Sequence, residues 1–528
     1  MAINMPYRDE SDNTVERCRQ VVAAKPRQAE ARHALAVALK DAYDPAEAVE
    51  QSCRALTLKA NHYPSARLLA SLLQTYALND DIVVTARAFV AALAFANVDR
   101  QALCVAAVDH LKTLPQLARV LALGNTERWD AAARYFMSAP CRNLLRNKLL
   151  CAILSLGVNT DVTMEFLLTA LRRYLLQFAP ADLLRKRYVY VFTCALIQQC
   201  INNEYIFVVY DEVRRVLKEL EIDFDGIADG ARQDATDFML MALYRPMHEF
   251  IPDSFDSGRL DRLSPRMLRD MARGYLETRR ADAVRAREIE RLTDITDETS
   301  KRVERQYVAE PYPKWRDIQT PEAGCAKRTL RNHFTAAELT LLDGPFDVLI
   351  AGCGTGQQAV DAALAYGPAA SVLAIDLCAP GLAYGERMAA AFGAANLRFA
   401  QADILGLDRL DRRYAAIECV GVRHHMARPY DAWRISVDRL QPGGLMLTGL
   451  YSGVSRSGIM ALRGNPACLG PGADDDALRE FRAALMHRQP GEAGAELTIS
   501  QDFFIKSSFR DLALHVSEQH CLIPTSIN

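Results

Sequence analysis

The stretch FDVLIAGCGTGQQAVDAALAYG (346–367) decides the fold of the second half of this 528-residue chain. It begins as a short apolar run, turns through residues 352–357, and continues with the apolar spacing of a helix. Glycines at 352, 354 and 356 permit a sharp turn and let a ligand lie against the backbone without a Cβ in the way. A strand, a glycine-rich turn and a helix in this order predict ligand binding where the strand ends.

Short apolar runs continue to alternate with helical segments after this stretch. Four of them predict strands: SVLAID (371–376), NLRFAQ (396–401), YAAIECV (414–420) and GLMLTGLY (444–451). Strands that alternate with helices form a parallel sheet covered on both faces. We therefore expect a Rossmann-like α/β domain with a mainly parallel sheet, whose first strand is residues 346–352.

Two aspartates follow predicted strands, at the edge where ligands bind in open parallel sheets. Asp376 ends the second strand, 20 residues after Gly356, where a carboxylate can accept hydrogen bonds from both hydroxyls of a ribose. Asp403, with Ile404 beside it, follows the third strand, where the edge of an adenine ring would lie. Each aspartate has a simpler alternative role as a helix N-cap or a residue of a surface turn.

The glycine spacing distinguishes two kinds of cofactor-binding turn. The dinucleotide fingerprint G-x-G-x-x-G requires glycine at position 357, where this chain has Gln357. That residue and the LQPGG segment (440–444) argue against a nicotinamide-dependent oxidoreductase. The spacing G-x-G-x-G is the form that methyltransferases use.

Several motifs together resemble those of class I S-adenosylmethionine-dependent methyltransferases: GCGTGQ (352–357), AID (374–376), QADIL (401–405), ECVGVRHHM (418–426) and LQPGG (440–444). The resemblance implies S-adenosyl-L-methionine as cofactor. It places the three glycines at the methionine part, Asp376 at the ribose, and Asp403 with Ile404 at the adenine. Neighbouring residues complete the implied cofactor site: Cys353, Gln357, Leu377 and Glu418.

A narrower resemblance is to a group of bacterial proteins in which tetratricopeptide repeats precede a methyltransferase domain. It rests on QYVAEPYPKW (306–315), GVRHHM (421–426), AWR (432–434), GLYS (449–452) and SSFRDLALHV (507–516). The match is close in the second half of the chain and loose in the helical part. It implies no particular substrate.

Three features depart from the usual pattern of the class. Ile350 stands two positions before the first glycine, where many members carry an acid, so the amino group of the cofactor would be held differently. Arg423 replaces a leucine that is common at this position. Sequence for the last antiparallel strands is also expected after residue 516. We expect either an earlier segment to complete the sheet or a short edge covered by the helical domain.

Methyl transfer requires an aligned acceptor and, for an acceptor that carries a proton, a base. His424 and His425 follow the fourth strand and are candidates for that base, as is Tyr312 as a further catalytic residue. The simpler alternatives are a backbone hydrogen bond for His424 and a helix cap for His425. Trp315 and Tyr451 are candidates for substrate binding, and Tyr312 and Trp315 would form a lid over the cofactor or, equally, core aromatics.

Arg423 is the third candidate for substrate binding. A guanidinium does not act as a base, because it keeps its proton, but it can fork onto a carboxylate or a phosphate. We therefore predict an acceptor with an anionic group within reach of Arg423. The structural alternatives are an ion pair with Glu418 and exposure to solvent.

The first 300 residues carry helical periodicity almost throughout. Leu35, Ala36 and Leu39 share a helix face, Asp44 and Pro45 break the chain, and similar residue types return 34 positions later at 69, 70 and 73. This period resembles the tetratricopeptide repeat, with a generic helical hairpin as the alternative. We predict a tetratricopeptide-like region over 1–140, a further helical region with a charged linker helix over 141–300, and the methyltransferase domain over 301–528.

Composition excludes several other classes of protein. The formal net charge of −2 lacks the basic excess that drives binding to phosphate backbones, so nucleic acid is not the expected partner. The 13 cysteines have neither paired nor metal-ligand spacing, which predicts reduced thiols, no metal site and a cytoplasmic protein. The sequence has no leader pattern at its start and no apolar stretch long enough for a membrane span.

These observations predict a methyltransferase that uses S-adenosylmethionine. The acceptor would be a small metabolite, a peptide or a protein presented by the helical domain, which would also offer a surface for a protein partner. The alternative is a non-catalytic helical scaffold whose methyltransferase-like domain only binds the cofactor. The intact glycines and aspartates favour real cofactor binding, whereas the missing C-terminal strands favour the scaffold.

Overall fold

The computed structural model describes residues 7–518 except 79–82, 116, 118–119, 122–134, 137, 221, 223, 225–231, 252–256, 455, 464–468 and 471. Predictions for the two chain ends therefore lie outside the described residues. The chain divides into two compact units, Met1–Arg273 with Asp317–Gln319, and Gly274–Arg316 with Thr320–Asn528. This division falls inside the helix Arg266–Glu288. The predicted three segments, with boundaries at 140 and 300, stay a prediction.

The first unit is helical wherever it forms regular structure in the described residues. Its α-helices are Tyr7–Ala24, Ala29–Asp41, Pro45–Leu58, Tyr63–Leu73, Ala86–Leu93, Arg100–Lys112, Ala139–Leu145, Lys148–Leu156, Val162–Gln177, Ala181–Leu184, Arg187–Asn202, Asp211–Glu219, Arg232–Ala242 and Met247–Phe250. A 3₁₀ segment, Ser257–Arg262, precedes the helix Arg266–Glu288.

The helix break predicted at Asp44 and Pro45 is present. Asp44 caps the helix Pro45–Leu58 by accepting a hydrogen bond from the backbone N–H of Glu47, and Pro45 occupies the first turn, where its missing N–H costs nothing. Leu35 and Ala36 are buried on the preceding helix, as their spacing predicted. These features confirm a helical hairpin, and the tetratricopeptide repeat itself stays a prediction.

The second unit is built on a five-stranded parallel sheet. Its strands are β1 (Phe346–Ala351), β2 (Ala370–Asp376), β3 (Leu397–Gln401), β4 (Tyr414–Val420) and β5 (Leu440–Gly449), in the order β3-β2-β1-β4-β5. Every neighbouring pair is parallel. The predicted Rossmann-like sheet is therefore confirmed.

Helices follow the strands as the alternation predicted. After β1, β2 and β4 come Gln357–Tyr366, Ala379–Phe392 and Pro429–Asp438. The remaining α-helices of this unit are Glu298–Ala309, Cys325–Leu330, Ser457–Arg463, Asp475–Met486 and Lys506–Leu514. The 3₁₀ segments are Thr340–Leu342, Ile404–Arg409, Arg423–His425, Ala495–Ile499 and Gln501–Phe504. Leu349, Leu373 and Ile417, one from each of the three central strands, lie in the buried core.

Two sequence predictions about this unit were wrong in detail. β5 begins at Leu440, four residues earlier than expected, because LQPGG pairs with β4 around a register shift. The predicted charged linker helix does not run unbroken into the methyltransferase domain: one helix ends at Glu288 and a new one begins at Glu298. Between them the chain pairs with β3, because the Gln401 N–H donates to the Glu290 carbonyl (2.8 Å).

This connector, residues 290–292, extends the sheet beyond β3. The Leu292 N–H donates to the Gln401 carbonyl (2.9 Å), and Arg291 and Gln401 form a parallel bridge. An earlier segment thus covers one sheet edge, as expected, but it is the edge at β3. At the other edge, β5 pairs with β4, and within the described ranges no further strand joins it. None of the described helices combines the length and apolar character needed to cross a membrane.

Candidate active site

A cavity of about 280 Å³ lies at the carboxyl ends of β1, β2 and β4. The strand order reverses direction between β1 and β4, and ligands of open parallel sheets bind at such a switch point. Eleven of the sixteen residues singled out in the sequence line it: Tyr312, Gly352, Cys353, Gly354, Gln357, Asp376, Leu377, Asp403, Ile404, His425 and Tyr451. Gly356, Glu418, Arg423, His424 and Trp315 do not.

The glycine turn is built from backbone positions that exclude a side chain. Gly352 and Gly354 have φ of 78° and 55°, in the left-handed region that favours glycine. A Cβ on Gly354 would lie 2.6 Å from the carbonyl oxygen of Tyr312, and one on Gly352 would lie 2.3 Å from Val422. Gly356 has the same kind of φ, but a Cβ there would meet the ring of Phe399. Glycine at position 356 therefore allows close packing of Phe399 beneath the turn.

Asp376 holds the turn through both carboxylate oxygens. Oδ2 accepts from the backbone N–H of Gly354 (2.8 Å), and Oδ1 accepts from that of Cys378 (2.9 Å). Burial raises the pKa of this carboxyl, and the hydrogen bonds from the backbone act in the opposite direction. Each oxygen keeps a second acceptor site, so the carboxylate can still receive hydroxyl groups of a ligand.

Asp403 lies in the cavity, as predicted, and also has its alternative role as a helix cap. Its side chain accepts from the Leu405 N–H (3.0 Å) and so caps the 3₁₀ segment Ile404–Arg409. Its own N–H donates to Thr293 Oγ1 (2.8 Å). This hydrogen bond links the loop after β3 to the residue that follows the connector. Burial raises the pKa of Asp403. Asp403 and Ile404 both line the cavity.

The segment that contains Tyr312 and Trp315 is fastened to the glycine turn. Trp315 Nε1 donates to the carbonyl of Thr355 (3.0 Å), and the hydroxyl of Thr355 donates to the carbonyl of Pro313. Trp315 is buried and stacks on Phe392. Of the two predicted roles, Trp315 has the core role, while Tyr312 faces the cavity.

The two histidines after β4 have different surroundings. His425 lines the cavity, and its Nδ1 lies 2.9 Å from the carbonyl oxygen of Ser517. His424 is buried, and its ring stacks on Tyr451 with centroids 3.6 Å apart. The backbone hydrogen bond expected for His424 is thus made by His425, and Arg428 rather than His425 holds the cap position of the next helix.

Arg423 and Glu418 do not meet each other or the cavity. The Arg423 side chain is fully buried, donates to Thr448 Oγ1 (2.7 Å) and lies over the ring of Trp433. Glu418 accepts from Gln358 (2.8 Å) and from the hydroxyl of Tyr366 (2.9 Å). Both structural alternatives for Arg423 were therefore wrong, because this side chain packs inside the domain. Its predicted contact with an anionic group stays a prediction, which a position outside the cavity lining does not support.

Sequence reasoning missed a cluster beside His425. The Tyr307 hydroxyl donates to Asp511 Oδ1 (2.9 Å) and lies 3.1 Å from His515 Nε2. Burial raises the pKa of Asp511 to about 7 and lowers that of His515 to about 2. Tyr307 lines the cavity. The only sequence signal for these residues was their presence in two of the family-like motifs, 306–315 and 507–516.

The cavity lining fits S-adenosylmethionine. The backbone of Gly354 lines the cavity, and the Asp376 carboxylate keeps acceptor sites on both oxygens. Apolar side chains such as Leu377 and Ile404 flank that carboxylate along the cavity. The ends of consecutive strands thus offer a glycine turn, a carboxylate and apolar side chains. This combination suits a ligand with an amino-acid part, a ribose and a flat base.

Comparison with known families identifies the central part of this domain. Residues 348–444 match a family model described as a methyltransferase domain. An uncharacterized protein of Synechococcus sp. is 31% identical over 117 residues, which is 22% of this chain and 28% of that protein.

Solved structures give partial matches of the same kind. TrmN from Thermus thermophilus is 32% identical, with 21% of this chain and 36% of that chain covered and a TM-score of 0.19. YcgJ from Bacillus subtilis is 25% identical, with 24% and 56% covered and a TM-score of 0.20. The matches span less than two thirds of the length of each of these relatives. The family match over residues 348–444 shows that the chain contains a methyltransferase domain, for which S-adenosyl-L-methionine is the cofactor.

Proposed function

We propose that this chain is a class I methyltransferase that transfers the methyl group of S-adenosylmethionine to an acceptor bound beside His425. The observation that carries the proposal is a single cavity with two kinds of wall. One wall consists of the glycine turn and Asp376, and the other consists of His425, Tyr312 and Tyr451. A cofactor on the first wall would direct its methyl group along the cavity towards the second.

The proposed cofactor contacts follow the order of the strand ends. Gly352, Gly354 and the adjoining Cys353 and Gln357 hold the methionine part through the turn after β1. Asp376 and Leu377 hold the ribose, and Asp403 with Ile404 holds the adenine. When bound, the cofactor supplies a methyl group on a positively charged sulfur.

The proposed acceptor contacts lie on the aromatic wall. Tyr312 and Tyr451 orient the acceptor, and His425 takes its proton through Nε2. Burial lowers the pKa of His425 to about 4, so the ring is neutral at physiological pH. The aromatic lining favours an uncharged acceptor group, since Arg423 is not available to pair with an anion.

The wider setting of the reaction is also part of the proposal. We propose that the first unit presents a small molecule, peptide or protein acceptor, in the manner of bacterial tetratricopeptide-repeat methyltransferases, and that the protein works in the cytoplasm. Neither a nucleic acid nor a membrane is the proposed partner, since the chain has a slight net negative charge.

Titration calorimetry of the full chain with S-adenosylhomocysteine, the demethylated product, tests cofactor binding first. Incubation with S-adenosylmethionine carrying a labelled methyl group and an extract of the source cells then tests transfer. We expect saturable binding, and label in one acceptor fraction that His425→Gln lowers at least tenfold with little change in product affinity. Absence of binding overturns the proposal, and binding without any label transfer would instead support the scaffold.

A further inference from the structure

Three residues near the end of the described chain stand behind the His425 wall of the cavity. Asp511 lies in the helix Lys506–Leu514, and His515 and Ser517 follow it. The side chain of His515 is fully buried and that of Asp511 is nearly so. None of the three lines the cavity. Their hydrogen bonds reach the cavity through His425 and Tyr307.

The contact between His425 and Ser517 fixes the position of a proton. Nδ1 of His425 lies 2.9 Å from the Ser517 carbonyl oxygen. A carbonyl oxygen only accepts hydrogen bonds, so Nδ1 carries the proton. In the neutral ring, Nε2 then has a free lone pair.

The backbone N–H of the same residue, Ser517, fixes His515 in the opposite tautomer. The Ser517 N–H donates to His515 Nδ1 (3.0 Å), so the proton of the neutral ring is on Nε2. That Nε2–H donates to the Tyr307 hydroxyl oxygen (3.1 Å), and the Tyr307 O–H donates to Asp511 (2.9 Å). Each donated hydrogen in this series of hydrogen bonds has one acceptor. The donors and acceptors run in one direction, from the Ser517 N–H through His515 and Tyr307 to Asp511.

The packing keeps both rings uncharged. The rings of His425 and His515 stack with centroids 3.7 Å apart and planes 22° apart, a distance at which two imidazolium ions repel. Burial lowers the pKa of each, and the nearby Arg456 and Arg463 act in the same direction on His425 while Glu518 opposes them. His425 is therefore presented to the cavity as a neutral ring.

We propose that Asp511, His515 and Ser517 are positioning residues of the transfer site, which hold His425 with its proton on Nδ1 and leave Nε2 to receive the proton of the acceptor. The inference rests on the proposed function. In the step it serves, the acceptor atom bonds to the methyl carbon and the carbon–sulfur bond breaks with its electron pair on sulfur. The acceptor proton passes to His425 Nε2 and later to solvent, so charge and atoms balance.

Nitrogen NMR of the histidine rings tests the arrangement without knowledge of the acceptor. The full chain is labelled with ¹⁵N in its histidines and saturated with S-adenosylhomocysteine, and His425→Gln and His515→Gln assign the two signals. We expect two neutral rings from about pH 6 to about pH 8, with the proton on Nδ1 in His425 and on Nε2 in His515. A His425 ring that is charged at about pH 6, or protonated on Nε2, overturns the inference.

A matched pair of variants tests whether Asp511 directs the chain of hydrogen bonds. Asp511→Ala removes the acceptor of the Tyr307 hydroxyl, which then donates to His515 Nε2. The His515 proton must move to Nδ1, and the bond from the Ser517 N–H is lost. We expect the His515 form to reverse and the His425 signal to become a mixture. Asp511→Asn keeps an oxygen acceptor and should keep the wild-type spectrum.

An unchanged spectrum in Asp511→Ala overturns the role of Asp511. If that variant does not fold, Tyr307→Phe removes the same link with a smaller change in volume and should also release His515 from a single form. Product affinity measured on the same samples separates two failures. Binding without the expected ring forms overturns only the positioning inference, whereas the expected forms without binding overturn the proposed function and the role of His425 with it.

Discussion

The two walls of the cavity are built in different ways. The cofactor wall is local, since Asp376 is held by backbone N–H groups of Gly354 and Cys378, all within a short stretch of chain. The acceptor wall is supported from behind by side chains far apart in sequence, such as Tyr307 and Asp511, which are 204 residues apart. A local wall tolerates little change at its backbone positions, whereas a wall supported in this way depends on the protonation and packing of a few buried side chains.

The largest expected effect concerns the stability contributed by Asp511, behind the acceptor wall. The folded pKa of Asp511 is about 7, above the usual unfolded value near 3.9, so the folded state binds more protons between these values. Stability is therefore lost as the pH rises from about 4 to about 7, by up to about 4 kcal/mol. Asp511→Asn removes this loss, and its free energy of unfolding should rise relative to the wild type across that range.

Chemical denaturation at a series of pH values measures this difference. The transition that belongs to the second unit is the one that S-adenosylhomocysteine shifts upward. The exposed Asp438→Asn is the matched control, and its curve should run parallel to the wild type. If the stability curve of Asp511→Asn also runs parallel to that of the wild type, burial of this carboxylate does not lower the free energy of unfolding.

The next effect is at the backbone of the cofactor wall. Gly354→Ala places a Cβ against the carbonyl oxygen of Tyr312 and puts alanine at a φ of 55°. We expect the turn to shift and product affinity to fall by about 100-fold, or ~3 kcal/mol. Gly393→Ala is the control, because Gly393 has a φ of 74° but open space around it. Equal product affinity in both variants would show that the turn tolerates a side chain.

Asp376→Ala tests the carboxylate that joins the turn to β2. We expect product affinity to fall by about 1.5–3 kcal/mol, the range for lost hydrogen bonds to a charged group. The control is Asp347→Ala, which removes a carboxylate from the opposite end of the sheet, where it pairs with Arg412. Calorimetric titration measures both variants, and an unchanged dissociation constant for Asp376→Ala would remove this residue from the site.

The smallest expected effect is at Arg423, which lies next to the acceptor wall but outside it. Arg423 does not line the cavity, so leucine there removes no ligand contact, and the lost hydrogen bond to Thr448 costs about 1 kcal/mol. Arg423→Leu should therefore change product affinity less than twofold and stability by about 1 kcal/mol. Thr448→Val, which removes its hydrogen-bond partner, should behave alike. A tenfold loss of affinity in Arg423→Leu alone would return this residue to the site.

The difference between the walls also explains what could be predicted from the sequence. The turn after β1, the position of Asp376 and the strands themselves follow from short-range spacing, because backbone geometry links neighbouring residues there. The position of Arg423 did not follow, since a charged residue after a strand suits a ligand site and a buried one equally. The cluster of Tyr307, Asp511 and His515 could not be predicted, because no local sequence pattern indicates which distant helix packs behind His425.

The connector that extends the sheet at β3 has a consequence during protein synthesis. Thr293, which directly follows it, is made 110 residues before its hydrogen-bond partner Asp403. At usual translation rates this delay is roughly 6–20 s. For that time the peptide groups of residues 290–292 have no β3 to pair with and remain an open strand edge. A ribosome that pauses before residue 401 therefore leaves a nascent chain with an edge that other chains can join.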